Sequence, residues 1–288
     1  MDRPRQPTKS RWLVYLRLGR VSNLPTVWTN CMAGMVLAGV PFTSQFNWVL
    51  VALSLLYTGG MFLNDAFDSS FDKQFRPERP IPSGEVSAQK VYLIGFGMLG
   101  AAVLMIASRT DFELGPIVFS LILAGLITYY NYRHKSDPLS PLVMALCRVM
   151  VYLVSASIVG AALSFDVLLG AATLGGYLIG LTYIAKQENL NEVKNLWPLL
   201  FLGMPVIHFF RGAHLILFMA LVAWVLWTLS YLIARPRSVP KTVVGLIAGI
   251  CLLDATIISA ATNDLSSAWL AVAAFFLTVV FQRFIQGT

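Results

Sequence analysis

Charge is scarce in this chain of 288 residues: only 12% are Asp, Glu, Lys or Arg, against roughly 25% in an average soluble domain. Together with a 57% hydrophobic share and a mean hydropathy of +0.70, that shortage excludes a water-soluble globule. Cysteine is nearly absent too. Cys31, Cys147 and Cys251 lie in separate, distant apolar runs, which leaves neither a metal-type spacing nor a disulfide framework; they read as small core residues. The three histidines, His134, His208 and His214, show no ligand pairing at helical spacing. Strand-like alternation is missing from the apolar stretches, and backbone satisfaction in lipid then leaves helices as the spanning structure. No cleavable signal sequence is expected, because residues 1–22 are rich in Arg and Lys and hold no continuous apolar core.

What the sequence does have is long apolar runs. A helix needs about 20 such residues to cross the hydrocarbon layer. Runs near 24–42, 47–66, 90–107, 115–132, 141–163, 166–186, 213–234, 241–261 and 267–285 predict an all-α, polytopic membrane protein with about nine transmembrane helices. The whole chain, 1–288, reads as one integral-membrane domain, with 1–22 as a basic cytoplasmic N-terminal segment. The formal net charge of +7 sits at the ends of the runs, where it orients the chain and attracts anionic lipid. Membrane lipid, and not nucleic acid, is the expected partner. With the N-terminus inside, segments 67–90, 133–140 and 187–212 are cytoplasmic and carry Lys73, Arg76, Arg79, Arg133, Lys135 and Lys194, as the positive-inside rule requires. The stretch LWPLLFLGMPVIHFF, 196–210, is short and holds Pro198 and Pro205, so it reads as interfacial or re-entrant. A stretch that does not cross, however, puts Arg235, Arg237 and Lys241 outside, and the charge rule prefers a crossing there.

Negative charge collects at two places on one side of the membrane. In NDAFDSSFD, Asn64, Asp65, Asp68 and Asp72 fall within roughly a 100° arc of one helix face. In AKQENLNEVKN, Glu188, Asn191 and Asn195 repeat the i, i+3, i+7 spacing, with Glu192 beside them. Like charges one turn apart repel, so such strips call for a partner, and a hard divalent cation is the economical one. Mg²⁺ prefers oxygen and uses one or two carboxylates together with substrate phosphates; two facing strips would hold a diphosphate through bridging metal. Arg76, Arg79, Lys135, Lys186 and Lys194 belong to the same side and suit the outer oxygens of that anion. The plain alternative for each such residue is a solvated helix end or positive-inside anchoring. Asn30, mid-run, is either an interhelical hydrogen-bond former or a substrate contact. An intramembrane arginine, Arg148, points to a cavity or a partner, and Asp254 reads as structural.

NDAFDSSFD followed by RPERPIPSG resembles the Asn-Asp-x-x-Asp-x-x-x-Asp motif and the Arg-Pro-Ile-Pro-x-Gly continuation of the UbiA superfamily of intramembrane prenyltransferases. YYNYRHK, 129–135, and RVSNLPTVWTN, 20–30, resemble its segments after the fourth helix and at the entry to the first. TYIAKQEN and MALCR resemble its EboC-like branch, known from bacterial gene clusters. The resemblance implies a helical bundle around a central cavity, both acidic motifs on cytoplasmic loops, and Mg²⁺ binding a prenyl diphosphate donor. Asp65, Asp68, Asp72, Glu188 and Glu192 are then the metal-binding and catalytic set, although the second motif departs from the family by carrying Glu where Asp is usual. Asn30, Asn64, Arg76, Arg79, Tyr130, Tyr132, Lys135, Arg148, Lys186, Asn191 and Lys194 are expected at the substrates, the tyrosines as π faces for an allylic cation. The acceptor is expected to be a small polar or aromatic molecule, and the site to face the cytoplasm from a bacterial inner membrane. A transporter of an anionic or metal-bound solute, and a non-catalytic binder of prenyl diphosphate, are the alternative functions.

Overall fold

Prolines mark helix starts along this chain, and two serines cap them. Pro25, Pro141 and Pro240 stand in first turns, where a missing N–H costs nothing, and Ser87 and Ser238 accept from the backbone N–H of Lys90 and Lys241. In the computed structural model residues 11–135, 137–186, 197–234 and 237–285 are described; among them the regular structure is helical, with no strand. A short α1 (Arg11–Leu18) and a 3-10 turn (Val21–Asn23) lead into α2 (Leu24–Leu37). Then follow α3 (Asn47–Phe67), α4 (Ser69–Phe75), α5 (Ala88–Arg109), α6 (Leu114–Arg133), α7 (Ser140–Ser157) and α8 (Phe165–Lys186). A 3-10 segment (Trp197–Gly203) and α9 (Val206–Phe210) precede α10 (Leu215–Ile233), α11 (Val239–Ala261) and α12 (Ser266–Phe284).

Eight of these, α3, α5 to α8 and α10 to α12, are long and apolar enough to cross a membrane. The run from residue 24 is helical only to Leu37. Gly39, at φ +84°, ends it with Val40 N–H returning to Met35 C=O at 3.1 Å, a glycine stop that a side chain would strain. α2 thus rises only about 21 Å and works as a shorter, buried member of the same bundle.

Residues 197–212 settle the tension between length and charge seen in the sequence. This segment runs back along α8. The Trp197 ring lies 5.8 Å from that of Tyr183, Met204 fills the space beside Gly176, His208 and Thr173 share a hydrogen bond of 3.0 Å, and Arg211 pairs with Asp166. The segment therefore traverses the depth of α8, about 25 Å; the 2 Å rise of 3-10 geometry lets so few residues do so. It is no straight transmembrane helix, yet it carries the chain across. Beyond it, His214 N–H bonds to Ser259 at the far end of α11, and α10 returns to the near end. Arg237 and Lys241 accordingly share the end that holds Lys73, Arg76 and Arg79.

α8 and α11 form the interior: 72% and 78% of their spans are buried, against 22% for α6, which lies at the periphery. α2 and α7 contribute to both large apolar clusters, one with α8 and α10 to α12, the other with α3, α5 and α6. They meet backbone to backbone at Gly34, where a Cβ would come 2.7 Å from the Tyr152 carbonyl oxygen. A third cluster joins Val14 and Leu18 of α1 to Phe62 and Ala66 of α3 and to Ile81 and Val86. It seats α1 and the proline-rich loop 76–86 over one end of the bundle.

Candidate active site

At that end α3 and α4 are joined through the single turn residue Asp68, whose N–H bonds to Asn64 C=O at 3.0 Å and whose C=O accepts from Asp72 N–H at 2.9 Å. Asn64, Asp65, Asp68 and Asp72 therefore form one helical strip, as their spacing predicts. Every acid of the strip meets a cation. Arg79 Nη1 lies 2.9 Å from Asp72 and 3.4 Å from Asp65. Arg20 Nη2 donates to Asn64 Oδ1 at 3.0 Å and lies 3.6 Å from Asp65. Lys135 Nζ reaches Asp68 at 2.7 Å, with His134 Nε2 at 3.5 Å. Burial alone raises the Asp68 carboxyl, but the hydrogen bonds and charges of His134 and Lys135 outweigh it and hold the group below the usual carboxylate range.

Local structure aims these cations. Arg20 sits at φ +43°, a left-handed turn unfavourable for a residue with a Cβ, which swings the chain from α1 into α2 and points the guanidinium at α3. Arg79 lies in consecutive turns, its N–H on Arg76 C=O and its C=O accepting from Ser83 N–H, held down by buried Ile81. On α6, Asn131 accepts from Asn64 Nδ2 at 3.1 Å and donates to Gly60 C=O at 2.9 Å.

Below this mouth opens a cavity of about 890 Å³, within the range of small-molecule sites. Arg17, Arg20, Asp65, Arg76, Arg79 and Arg283 line its polar end, while Leu53, Leu56, Ile127, Leu178 and Ile250 line its apolar part, with Tyr57, Tyr130 and Arg148 between. The expected residues divide accordingly. Asp65, Arg76, Arg79, Tyr130 and Arg148 line the cavity. Asn64, Asp68, Asp72 and Lys135 stand behind or beside them through the contacts above. Tyr132 does not join them. Its ring packs edge-on to Phe67 at 6.1 Å in an apolar groove between α5 and α6, because Ile127, Tyr130, Asn131 and His134 define the inward stripe of α6 and Tyr132 falls one 100° step off it. Asn30 is fully buried and is an interhelical bridge from Arg148 to Asp254, not part of the lining. Lys186 donates to the carbonyls of Asp137 and Pro138 at 3.2 and 3.4 Å, fastening α8 to the α6–α7 loop. Glu188, Asn191, Glu192 and Lys194 lie outside the described residues.

Arg20, Asn131 and His134 contact the acidic strip as well, though sequence reasoning passed over them. The i, i+3, i+4 and i+7 stripe through Asn131 and His134 carried a signal. The left-handed turn at Arg20 carried none. The described donor set, Asn64, Asp65, Asp68 and Asp72, is all oxygen, the chemistry of a hard divalent cation. No group of three His, Cys, Asp or Glu converges among the described residues; the oxygen chemistry of the strip is what fits Mg²⁺, which takes few carboxylates alongside substrate phosphate.

A cavity with an apolar inner part and a mouth of paired acids and bases lies inside this helical membrane bundle. The sequence pattern of the UbiA prenyltransferase family matches residues 26–235, and the chain belongs to that family. Among curated relatives, digeranylgeranylglyceryl phosphate synthase of Sulfolobus acidocaldarius is 31% identical over 122 residues, 42% of each chain. The 4-hydroxybenzoate octaprenyltransferase of Pectobacterium atrosepticum is 28% identical over 138 residues, 44% of this chain and 45% of the relative. The matched segments thus span less than half the length of these relatives. Two solved structures share the fold over nearly their whole length: one concerned with digeranylgeranylglyceryl phosphate synthase in membranes (TM-score 0.61, 16% identity, 87% of this chain and 98% of that one), and an apo UbiA homologue from Aeropyrum pernix (TM-score 0.51, 17% identity, 92% and 97%).

Proposed function

We propose that this protein is an intramembrane prenyltransferase, which moves an isoprenoid chain from a prenyl diphosphate to a small polar or aromatic acceptor, with its mouth on the cytoplasmic face of the cytoplasmic membrane. The observation that carries this reading is the mouth of interleaved acids and arginines, directly above the apolar inner part of the cavity, in a member of this family. A transporter reading gains nothing comparable, since the acids that line the cavity gather at its mouth and the interior acid, Asp254, is sealed from the cavity.

In the reaction the bond from the prenyl C1 to its diphosphate oxygen breaks, and the electron pair leaves with the diphosphate. The acceptor's nucleophilic atom bonds to C1 and gives up a proton. Arg20, Arg76 and Arg79 bind the departing anion's outer oxygens, as charge-assisted and partly bidentate donors do best. Asp65, Asp68 and Asp72, together with Glu188 and Glu192 of the second motif, would hold Mg²⁺, which would supply Lewis-acid stabilisation of the leaving group. Tyr57 and Tyr130 offer π faces to the positive carbon, and the apolar walls keep water from it. The acids are matched by arginine and lysine in this structure; with a metal-bound diphosphate, the acid oxygens would be available to the metal and the guanidinium groups to phosphate.

Asp68→Ala, Asp72→Ala and Glu192→Ala, each reconstituted in membranes with Mg²⁺ and a prenyl diphosphate, are expected to lose transfer while remaining folded. Turnover at the parent rate in all three sinks the assignment of the clamp.

A further inference from the structure

Partway along α7 an arginine faces the cavity with its charge already answered and hydrogen-bond donors left over. Arg148 lies about 12 Å along the helix from Ser140 and lines the cavity beside Cys147, Val151, Leu178 and Ile250. Its Nη1 donates to Asn30 Oδ1 at 2.9 Å, and its guanidinium carbon lies 5.3 Å from the centre of the Tyr57 ring, which also lines the cavity. Asn30 in turn donates through Nδ2 to Asp254 Oδ2 at 2.8 Å, and Asp254 Oδ1 accepts from the Tyr152 hydroxyl. Asn30, Tyr152 and Asp254 are all fully buried. The chain of contacts therefore ties α7 to α2 and α11 and ends in a carboxylate that the cavity does not reach.

Two features of this arrangement bear on what occupies the cavity. Among the described residues the sealed side-chain polar atoms without a partner are Ser22 Oγ and His214 Nδ1; the remaining N–H groups of Arg148 are not among them, so they open onto the cavity. An isoprenoid tail offers such donors nothing, and leaving them bare against hydrocarbon is unfavourable. Secondly, Asp254 accepts from Asn30 Nδ2 and from the Tyr152 hydroxyl, so an acidic counter-group already stands behind the guanidinium, reached through the Asn30 amide. A second anion here would leave one negative charge uncompensated in a low-dielectric interior, whereas a hydroxyl or carbonyl takes the free N–H groups and adds no charge.

We propose that Arg148 is the specificity-determining residue for the acceptor, and that it selects an uncharged, oxygen-bearing acceptor over a carboxylate or a phosphate. Asn30 and Asp254 are positioning residues that fix the guanidinium plane and supply its counter-charge from behind. This inference rests on the prenyl-transfer reading above.

The test compares lipid extracts of membranes carrying the parent chain, Arg148→Gln or Arg148→Lys, supplied with geranylgeranyl diphosphate and Mg²⁺, by mass spectrometry. A second readout is the shift in thermal midpoint of each purified protein on adding the same donor with Mg²⁺, which reports the mouth and the fold. The parent is expected to accumulate a prenylated lipid whose head carries neither carboxylate nor phosphate. Arg148→Gln is expected to lower it tenfold or more with the donor-induced shift retained, and Arg148→Lys to rescue little, because an ammonium cannot keep both the Asn30 bond and a planar fork. An acidic head on the product overturns the inference, as does parental product from Arg148→Gln. Loss of the donor-induced shift together with product reassigns Arg148 to the donor site and overturns it too. No new lipid from the parent contradicts prenyl transfer itself, and the inference with it.

Discussion

Arg79 does two jobs with one nitrogen, meeting Asp72 at 2.9 Å and Asp65 at 3.4 Å. Asp72 is only 2% exposed, so Arg79→Ala strands a buried carboxylate, and removing one partner of such a pair costs about 3–5 kcal/mol. The purified variant is expected to unfold at a clearly lower temperature, by circular dichroism in detergent; a midpoint equal to the parent contradicts the buried pairing. The acids of this strip were legible in the sequence because spacing alone puts them on one face. Their partners were only partly so. Arg79 and Lys135 stood out as basic residues on the right side, but which acid each meets depends on loop turns and on the end of α6. Arg20 owes its place to a left-handed backbone angle that no sequence pattern announces.

At the scale of elements, the close approach of α2 and α7 holds the Arg148 chain together. Gly34 lies one turn beyond Asn30, and Tyr152 one turn beyond Arg148. A Cβ at Gly34 would meet the Tyr152 carbonyl at 2.7 Å and the Ser155 Cβ at 3.0 Å, both atoms on a buried helix that cannot swing aside. Gly34→Val is expected to cost about 1–3 kcal/mol as an overpacking change, read as a lower thermal midpoint. An undisturbed midpoint shows that the two helices have slack the structure does not indicate. The long helices were legible from apolar run length, and their bounds shifted where glycine ended them early, as at Gly39. The inward and outward faces of α6 were not read at first, because tyrosine suits either. Only the stripe through Ile127, Tyr130, Asn131 and His134 separates Tyr130 from Tyr132. Asn30 had two readings in the sequence, and its partner Asp254 lies 224 residues away, a pairing that only the packed bundle reveals.

For the whole molecule, the traverse of residues 197–212 along α8 fixes which loops share a side. Near the mouth, Gln282 of α12 donates to Asn23 at 3.1 Å and to Val244 C=O of α11 at 3.3 Å, so the last helix and the turn ahead of α2 meet at the charged face. Single cysteines at the exposed positions Ser83 and Arg237 are expected to react with a membrane-impermeant thiol reagent from one side, and a cysteine at Asp264 from the other. Labelling of Arg237→Cys with Asp264→Cys instead would show that 197–212 does not cross. Apolar run length alone could not decide this, since a 3-10 segment covers more depth per residue than the α-helix assumed in counting; the positions of Arg237 and Lys241 were the better guide.

The central claim is that the charged mouth releases a diphosphate so that the cavity can pass its prenyl chain to an acceptor. Its most direct test is the lipid content of membranes with and without the protein, given geranylgeranyl diphosphate, with Mg²⁺ present or removed by chelation. The account predicts a new lipid heavier than its acceptor by one prenyl group, with inorganic diphosphate released in step, dependent on Mg²⁺ and absent from Asp68→Ala membranes. Solute counterflow into liposomes with no new lipid, or a lipid that Asp68→Ala membranes make equally well, would contradict it.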